Sequence, residues 1–321
     1  MSNLLHVSTS PHIRVPETTT TIMLDVLVAL VPSAVFGVYI YGLSALWIIL
    51  VSVFSCVLTE YVYEKLMKLP VTIQDCSSIV TGVLLAFCLP ASVPIWLPAI
   101  GGVFAILVVK QVFGGIGQNF MNPALAARCF LLISFGQRLT QYPAVRFADV
   151  DMVSQATPLA DLKATGSFDL LNMFLGVHKG CIGETSIVCL LVGAVYLLLR
   201  RIISWRIPFV YIGSTLLFIE FFSLCKGIGF VGADVLLAHV CGGGLFLGAF
   251  FMATDYVTSP ITSGGKIIYG LCLGFMTAAF RIVGKSAEGV SYAIIICNLL
   301  VPLIEKITVP KAFGLKGGDK E

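Results

Sequence analysis

Asp151-Met152-Val153-Ser154-Gln155-Ala156-Thr157 lies in the one long polar segment of an otherwise mostly apolar chain. That segment runs from Gln137 to Glu184 and carries four basic side chains and, before Glu184, four acidic ones. Charges at this density are excluded from the hydrocarbon of a bilayer. The segment is therefore predicted to lie outside a membrane, with the Thr157 hydroxyl accessible to a modifying enzyme. It also divides the chain into two apolar halves, and that division decides the fold class.

The composition outside this segment is that of an integral membrane protein. Of the 321 residues, 58% are hydrophobic and 12% are charged, and the mean hydropathy is +0.98. Soluble domains carry about 25% charged residues. The net charge of +3 is small, and clusters of basic residues with interleaved aromatics are absent from the sequence, so nucleic acid is not an expected partner.

The spacing of the ten cysteines and the N-terminal residues bear on two further features, an iron–sulfur cluster and a signal peptide. No two cysteines form a C-x-x-C pair, so an iron–sulfur cluster held by this chain alone is not expected. Cysteines in apolar runs are typical small buried residues. The N-terminus lacks a basic stretch leading into an apolar run, so no cleavable signal peptide is expected.

Ten apolar runs approach the length of about 20 residues that a helix needs to cross a bilayer. They cover residues 22–41, 43–63, 77–97, 98–114, 122–136, 185–203, 207–226, 233–253, 265–283 and 289–307. The predicted fold is therefore an all-α polytopic membrane protein with about ten transmembrane helices in two halves of about five. Breaks are expected at Pro90, Pro94 and Pro98 and at Gly114, Gly115 and Gly117, where protein or a cavity must cover the exposed backbone.

An odd number of spans per half gives the two halves opposite orientation, which is typical of inverted repeats. A weak internal echo favours such a repeat: Gly101-Gly102-Val103-Phe104 precedes Asn122-Pro123, and Gly242-Gly243-Gly244-Leu245-Phe246 precedes Ser259-Pro260. The alternative is that glycine-rich membrane helices simply pack closely.

Lysine and arginine set the predicted orientation. With the N-terminus in the cytoplasm, twelve of them, Lys110 included, fall in cytoplasmic segments and seven in outer ones, while Arg128 stays inside a span. Both termini are then cytoplasmic and the Thr157 loop is extracytoplasmic. The predicted parts are the cytoplasmic segment 1–21, the first membrane half 22–136, the extracytoplasmic loop 137–184, the second membrane half 185–307 and the cytoplasmic tail 308–321.

Polar side chains at the edges of apolar runs are candidate binding residues. Asn119 and Asn122 precede Pro123, which predicts a helix N-terminus that attracts anions. Arg128 follows and would reach a bound phosphate, unless it extends to the membrane surface. Glu184 and Thr185 open the sixth span, where a capping role is the simpler explanation.

Two further polar stretches lie in the second half. Asp255, Thr258 and Ser259 gather oxygens at a helix break, which suits the polar edge of a cofactor, a transient Na+ near Asp255, or an ordinary interfacial turn. Arg281 is expected to pair with Glu288, and Asn298 needs a polar partner because an unsatisfied amide in lipid is costly.

The Asp151–Thr157 stretch resembles the flavin-transfer motif Asp-x-x-(Ser/Thr)-Gly-Ala-Thr, with Gln155 in place of glycine. The resemblance implies that FMN is joined by a phosphoester bond to Thr157, with Asp151, Ser154 and Ala156 as the other motif residues. A covalent bond keeps the flavin at high effective concentration beside its electron partners.

The motifs in order along the chain resemble the RnfD/NqrB family. They are Ser-Pro-His at Ser10, Gln-Asn-x-x-Asn-Pro-Ala-Leu-x-x-Arg at Gln118, the flavin motif, Ile-Gly-Glu-Thr-Ser at Ile182, Ala-Thr-Asp-x-Val-Thr-Ser-Pro at Ala253 and Ile-Ile-Tyr-Gly at Ile267. The resemblance covers about residues 10 to 307. It implies a membrane electron-transfer subunit of a bacterial ion-translocating ferredoxin:NAD+ oxidoreductase (Rnf) complex, in the cytoplasmic membrane and coupled to Na+ or H+.

The resemblance also implies cofactors and partners. The cofactors are covalent FMN and, as NqrB suggests, a second, non-covalent riboflavin. The partners are an RnfG-like flavoprotein, RnfA- and RnfE-like membrane subunits, an RnfC-like NADH-binding subunit, an RnfB-like ferredoxin-binding subunit, membrane lipid and a flavin transferase. The isolated chain is expected to lack dehydrogenase activity, since no nucleotide-binding glycine fingerprint is present.

Two other functions stay open. One is an NqrB-type subunit that delivers electrons to quinone, although the short N-terminal region resembles RnfD more. The other is a channel or carrier without redox chemistry, for which a flavin-attachment motif in a polar loop would have no use.

Overall fold

The computed structural model describes residues 17–142, 157–166, 168–184, 186–227, 229–284 and 289–310, and their regular structure is entirely helical. Two π-helical stretches, Phe104–Gln111 and Gly248–Met252, continue α4 and α11. Short 3-10 turns lie at Ile73–Asp75 and Ile182–Glu184. The α-helices are α1 Thr19–Tyr41, α2 Leu43–Leu66, α3 Ser77–Phe87, α4 Trp96–Val103, α5 Pro123–Leu139, α6 Pro158–Thr165, α7 Leu170–Leu175, α8 Ile187–Leu199, α9 Arg206–Cys225, α10 Ala233–Cys241, α11 Leu245–Leu247, α12 Ser263–Ile282 and α13 Val290–Thr308.

Helix length and apolar composition confirm an all-α polytopic membrane protein. Among the described residues, α1, α2, α9, α12 and α13 are each long and apolar enough to cross a membrane. Helix α10 and the α11 helix with its π-helical continuation form a pair bent by 62°, which is a broken span or a re-entrant loop. Every one of the ten apolar runs contains helix, but α3, α4 and α8 are shorter than a full span. Ten full crossings in two inverted halves stay a prediction.

One predicted break lies elsewhere in the structure. The sequence places a break at Pro98, between spans 77–97 and 98–114, but α3 ends at Phe87 and α4 begins at Trp96. Pro98 therefore lies in the first turn of α4. A proline is tolerated there because the missing N–H group has no partner within the helix. Residues 88–95 form the actual interruption.

Glycines allow helices to approach closely, both between the two halves and within the first half. A Cβ atom at Gly193 of α8 would lie 2.1 Å from the carbonyl oxygen of Ala29 in α1. A Cβ atom at Gly82 of α3 would lie 2.6 Å from the Cα atom of Val53 in α2. Small residues at such contacts are typical of helix packing in membranes, where close backbone approach provides the van der Waals attraction.

Helix α1 spans the distance between two polar regions. Ile22 and Met23 in its first turns line a cleft. Near its other end Gly37 contacts Ile182, and the Tyr41 hydroxyl donates to the Gly180 carbonyl at 3.1 Å. At 1.5 Å per residue, the 14 residues from Met23 to Gly37 cover about 20 Å. Two groups of polar residues therefore lie near opposite ends of α1.

Candidate functional site

A cleft at the N-terminal end of α1 brings predicted residues of both halves together. Its empty space, the open mouth included, is about 830 Å³. The walls are mostly apolar side chains of α1, α3, α8 and the second π-helical stretch. The polar lining residues include Ser77, Lys110, Asn119, Asn122 and Asp255. Largely apolar walls with a few placed polar groups are typical of cofactor sites.

Asn122 fixes one edge of the cleft at the start of α5. Its Oδ1 atom accepts hydrogen bonds from the backbone N–H groups of Ala124 at 3.0 Å and Leu125 at 3.3 Å, so Asn122 is the N-cap residue. The predicted helix start at Pro123 is confirmed. The Asn122 Nδ2 atom donates to the Met252 carbonyl at 3.3 Å, at the end of the second π-helical stretch. One side chain thus joins the interrupted helices of the two halves.

The opposite edge of the cleft is the connection between the second π-helical stretch and α12. The Thr258 hydroxyl donates to the Asp255 Oδ2 atom at 3.1 Å. Withdrawal from solvent raises the pKa of the Asp255 carboxyl, although Thr258 and two backbone N–H groups oppose the change. Ser259 does not line this cleft and contributes to an adjoining pocket. Asp255 therefore places a carboxyl group with a raised pKa at the edge of the cleft.

Asn298 of α13 links the two edges of the cleft. With its amide nitrogen facing the acceptors, it donates to the Thr258 carbonyl at 3.3 Å and to the Tyr269 hydroxyl at 2.6 Å. Its oxygen then accepts from the Asn122 N–H group at 3.2 Å. The sequence predicts a polar partner for Asn298, and that prediction is confirmed. A single buried amide therefore holds both loops that carry the predicted binding residues.

A buried ion pair borders the cleft. The Lys110 Nζ atom lies 2.6 Å from Glu60 Oε1 and 2.6 Å from Ser77 Oγ. Gln111 also donates to Glu60 Oε1, at 3.1 Å. The other Glu60 oxygen is buried and has no hydrogen-bond partner among the described residues. The count of cytoplasmic lysines and arginines includes Lys110 as an exposed charge. Lys110 is instead a buried residue of the first π-helical stretch, and Glu60 neutralises its charge.

The second site is an arginine cluster, which we define as Arg128, Glu184, Arg281 and the break Gly242–Gly244 between α10 and α11. Arg128 Nη1 lies 3.7 Å from Glu184 Oε1, and both side chains are buried. The alternative that Arg128 extends to the membrane surface is therefore wrong. Glu184 is not a helix cap either, because Ser186 caps α8 and accepts from the Cys189 N–H group.

Arg281 holds the helix break in place and was not among the predicted site residues. Its side chain is fully buried. It donates to the carbonyl oxygens of His239, Gly242 at 2.9 Å and Gly243 at 3.3 Å. Gly243 has a φ of +65°, and a Cβ atom there would lie 2.8 Å from the guanidinium. The predicted pairing partner, Glu288, lies outside the described residues.

Helix α6, which Thr157 precedes, packs against the same break. The Leu159 side chain is buried and lies 3.2 Å from where a Gly242 Cβ atom would be. Lys163 donates to the Gly284 carbonyl at 3.4 Å, and its pKa is lowered by partial burial and by the nearby Arg281 and Lys226. The arginine cluster therefore lies next to α6, the helix that follows Thr157.

Thr157 is buried, with 8% of its surface exposed, whereas the sequence predicts an accessible hydroxyl. The reason is the docking of α6, which draws its first residues against the membrane helices. Thr157 occupies the N-cap position, but its hydroxyl makes no capping hydrogen bond with α6. The other motif residues Asp151, Ser154 and Ala156, together with Thr185, lie outside the described residues.

Comparison with known proteins shows the family of the chain. The model of the NQR2, RnfD, RnfE family matches residues 6–314. The chain belongs to this family. A relative from Acetobacterium woodii, named as a subunit of the Na(+)-translocating ferredoxin:NAD(+) oxidoreductase complex, is 48% identical over 99% of this chain and 98% of its own length.

Two further relatives extend the comparison. A protein of Clostridium ljungdahlii, named as a subunit of the proton-translocating ferredoxin:NAD(+) oxidoreductase complex, is 42% identical over 98% of this chain and 97% of its own length. A protein of Stutzerimonas stutzeri, named as a subunit of an ion-translocating oxidoreductase complex, is 36% identical over 91% of each chain. Family membership and the apolar helices together make the chain a multi-pass membrane protein.

Proposed function

We propose that the chain is the membrane electron-transfer subunit of an ion-translocating ferredoxin:NAD+ oxidoreductase (Rnf) complex. In this function it carries covalent FMN on Thr157 and moves electrons across the membrane, coupled to Na+ or H+. The observation that carries the proposal is the separation of two polar sites by about 20 Å along α1, one beside α6 and one at the cleft. Full-length similarity to proteins named as subunits of such complexes supports the same function.

The position of Thr157 is compatible with a phosphoester. An anionic phosphate on the N-cap residue would lie at the N-terminus of α6, where free N–H groups and the helix dipole favour negative charge. The hydroxyl is not engaged in capping α6. Bound FMN supplies one- and two-electron redox chemistry. Leu159 packs against the Gly242–Gly243 break that Arg281 holds, and this contact fixes the orientation of α6.

The cleft is suited to a second, non-covalent flavin of the riboflavin type. Its walls from α1, α3 and α8 are mostly apolar, as the surroundings of an aromatic ring usually are, and Asn119 and Asp255 offer hydrogen-bonding groups. The Thr258 hydroxyl donates a hydrogen bond to the Asp255 carboxyl group and orients it. Asn122 acts chiefly by joining the two edges, since its oxygen is already used as a helix cap.

Buried charge gives a physical basis for coupling electrons to ions. Negative charge added in a low-dielectric site costs several kcal/mol unless it is compensated. A cation or proton bound at Asp255 would offset that cost. Redox state and ion affinity are then linked reciprocally. The names of the relatives include both Na+ and H+, so the proposal covers either ion.

The proposed partners are the subunits that such a complex requires. They are an RnfG-like flavoprotein as electron donor, RnfA- and RnfE-like membrane subunits, RnfC-like and RnfB-like subunits for NADH and ferredoxin, and a flavin transferase. The proposed location is the bacterial cytoplasmic membrane, with the Thr157 loop outside and both termini inside. None of the three relatives described above is named for quinone, and the cleft gives no observation that favours a passive channel.

Peptide mass spectrometry tests the covalent flavin. The full chain is expressed with its complex and a flavin transferase, and the peptide spanning Asp151 to Lys163 is analysed with in-gel flavin fluorescence. We expect an FMN adduct on wild type that Thr157→Ala abolishes. Thr140→Ala, an exposed threonine on the same predicted side, should keep it. An unmodified wild-type peptide would show that Gln155 is not tolerated in the motif.

A further inference from the structure

We propose that an anionic phospholipid binds in a groove on α8 and α9, with its headgroup between Arg201 and Lys266. The groove has a polar end and an apolar end that share the side chain of Leu198. The groove shares part of its wall with the cleft, but Arg201 and Lys266 have no part in the redox function proposed above. The relevant charges lie on the predicted cytoplasmic side, where anionic lipids attract basic segments.

The polar end is a pocket between the α8–α9 connection and the start of α12. Its empty space, open solvent included, is about 1060 Å³. Arg201, Lys266, Ser204 and Ser259 line it and provide two cations and two hydroxyl groups. These are the groups that bind a phosphate.

In the part of the chain that the structure describes, the two cations of this pocket have no carboxylate partner. Among the described residues, no carboxylate lies within ion-pair distance of Arg201 or Lys266, whereas the neighbouring Arg200 pairs with Asp25 at 2.8 Å. Arg201 has a φ of +57° because it closes the C-terminus of α8: its N–H group donates to the Leu198 carbonyl at 3.0 Å, and the Ile202 N–H group donates to the Leu197 carbonyl at 3.0 Å. This helix end places the Arg201 side chain at the pocket. Two cations beside a pocket, without a carboxylate partner among the described residues, favour an anion there.

The apolar end is suited to an acyl chain. A second cavity, with about 800 Å³ of empty space, is lined by α8, α9 and the α11 region, and its surface is almost wholly apolar. Gly213 lies on its wall, and no atom within 4 Å would contact a Cβ atom there, so the groove is open at this point. Phe209 and Phe246 form other parts of the wall. A free phosphate ion would leave this surface unused.

Trp205 marks the boundary between the two ends. It is 61% exposed and lines the headgroup pocket. Tryptophan is enriched at the level of lipid headgroups, where its ring meets both apolar and polar surroundings. Arg206 lies beside it and donates to the Ser263 hydroxyl at 2.7 Å. The order of cations, tryptophan and apolar groove matches the order of phosphate, glycerol and acyl chain in a phospholipid.

The lipid would also close one side of the cleft. Ile202, Ile203, Thr254 and Tyr256 line both the cleft and the headgroup pocket. Tyr256 donates to the Ile202 carbonyl across this boundary. A bound lipid therefore packs against the wall that separates the cleft from the membrane.

Lipid retention by the intact complex tests the proposal. The complex is purified in mild detergent, supplied with phosphatidylglycerol or with phosphatidylcholine of the same acyl chains, and examined by native mass spectrometry. We expect preferential binding of phosphatidylglycerol. The double variant Arg201→Gln with Lys266→Gln should weaken that binding about 30-fold, since each cation contributes about 1 kcal/mol and 1.4 kcal/mol is tenfold.

Two further variants complete the test. One blocks the apolar end of the groove, and the other shows whether any loss of positive charge on this side weakens lipid binding. Gly213→Leu fills the apolar end without changing charge and should also reduce phosphatidylglycerol binding. Lys65→Gln with Lys68→Gln removes two exposed cations on the same predicted side but outside the groove, and it should leave binding unchanged.

Four results would overturn the proposal. They are equal binding of the two lipids, unchanged phosphatidylglycerol binding in the Arg201 and Lys266 double variant, displacement of the lipid by inorganic phosphate, and a partner protein cross-linked at position 201 with no lipid retained. The third result would assign the pocket to a free anion, and the fourth to a protein interface.

Discussion

At the scale of single residues, the protein has few charged side chains, and several of them are buried. Glu60 and Lys110 form a buried ion pair beside the cleft, and the two terminal nitrogens of Arg281 donate to backbone carbonyls of a helix break. A charge in such surroundings persists only where partners compensate the loss of hydration. The residues that carry these charges are therefore fixed in position, and each is sensitive to loss of its partner.

Breaking the Glu60–Lys110 pair should destabilise the protein strongly. Lys110→Met leaves the Glu60 carboxylate buried without a cation, which costs about 3–5 kcal/mol. Combining it with Glu60→Gln should restore much of the loss, because neither charge then remains. Thermal unfolding of the detergent-purified protein measures both effects, with Arg200→Gln, which breaks a more exposed pair, as control. A double variant as unstable as Lys110→Met alone would contradict this account.

His178 should make stability depend on pH. Burial lowers the pKa of its imidazole below the ordinary value of 6.5. Below pH 6.5 the unfolded chain therefore binds a proton that the folded chain does not, and the free energy of unfolding falls as pH decreases until the folded-state pKa is reached. His178→Gln removes this titration. Unfolding followed between about pH 7.5 and about pH 5 should show a weaker pH dependence in the variant; parallel curves would exclude His178.

At the scale of helices, both candidate sites lie where helices are interrupted. The cleft is bordered by the start of α5 and the end of the second π-helical stretch, joined by Asn122. The arginine cluster surrounds the break between α10 and α11. In both halves a π-helical stretch follows the glycine-rich sequence at residues 101–104 or 242–246. Interrupted helices expose backbone groups that polar side chains then satisfy.

Close packing of α1 against α8 should depend on Gly193. A larger side chain there would collide with the Ala29 backbone, and overpacking of this kind costs about 1–3 kcal/mol. Gly213→Ala on α9 is the matched control, because its Cβ atom meets open space, and it should be neutral or stabilising by up to about 1 kcal/mol. Thermal unfolding of Gly193→Val beside this control measures the difference. Equal stability would mean that the α1–α8 contact adjusts freely.

At the scale of the whole molecule, helix α1 separates two polar sites. The cleft is formed by chain segments that the Lys and Arg distribution predicts to be cytoplasmic, and the arginine cluster lies towards the Thr157 segment predicted to be outside. Electron transfer across a membrane requires this kind of separation between two redox sites. The arrangement therefore fits a chain whose function depends on its orientation.

Cysteine labelling tests that orientation. Cys225 is exposed at the end of α9 and is predicted to face outward, whereas the half-buried Cys76 precedes α3 on the predicted cytoplasmic side. A membrane-impermeant maleimide should label Cys225 in intact cells and Cys76 only after permeabilisation. Cys225→Ser and Cys76→Ser identify each signal. The reverse order of labelling would invert the topology and place Thr157 in the cytoplasm.

The sequence by itself determined the class of the protein and the candidate residues. Apolar length and scarce charge predict membrane helices because unpaired charge is costly in lipid, and the helix start at Pro123 follows from local chemistry. Motif resemblance identified the family that the comparison confirmed. These inferences depend on neighbours along the chain, which the sequence displays directly.

Only the tertiary structure decided which of those residues meet. Lys110 with Glu60, Arg128 with Glu184, and Asn298 with Asn122 and Thr258 are contacts between distant segments. The burial of Thr157 arises in the same way, from docking of α6 on the Gly242–Gly244 break. An isolated polar residue in an apolar run indicates that a partner is needed, but not which one. The choice of partner depends on how interrupted helices pack, because that packing sets which buried groups lie within bonding distance.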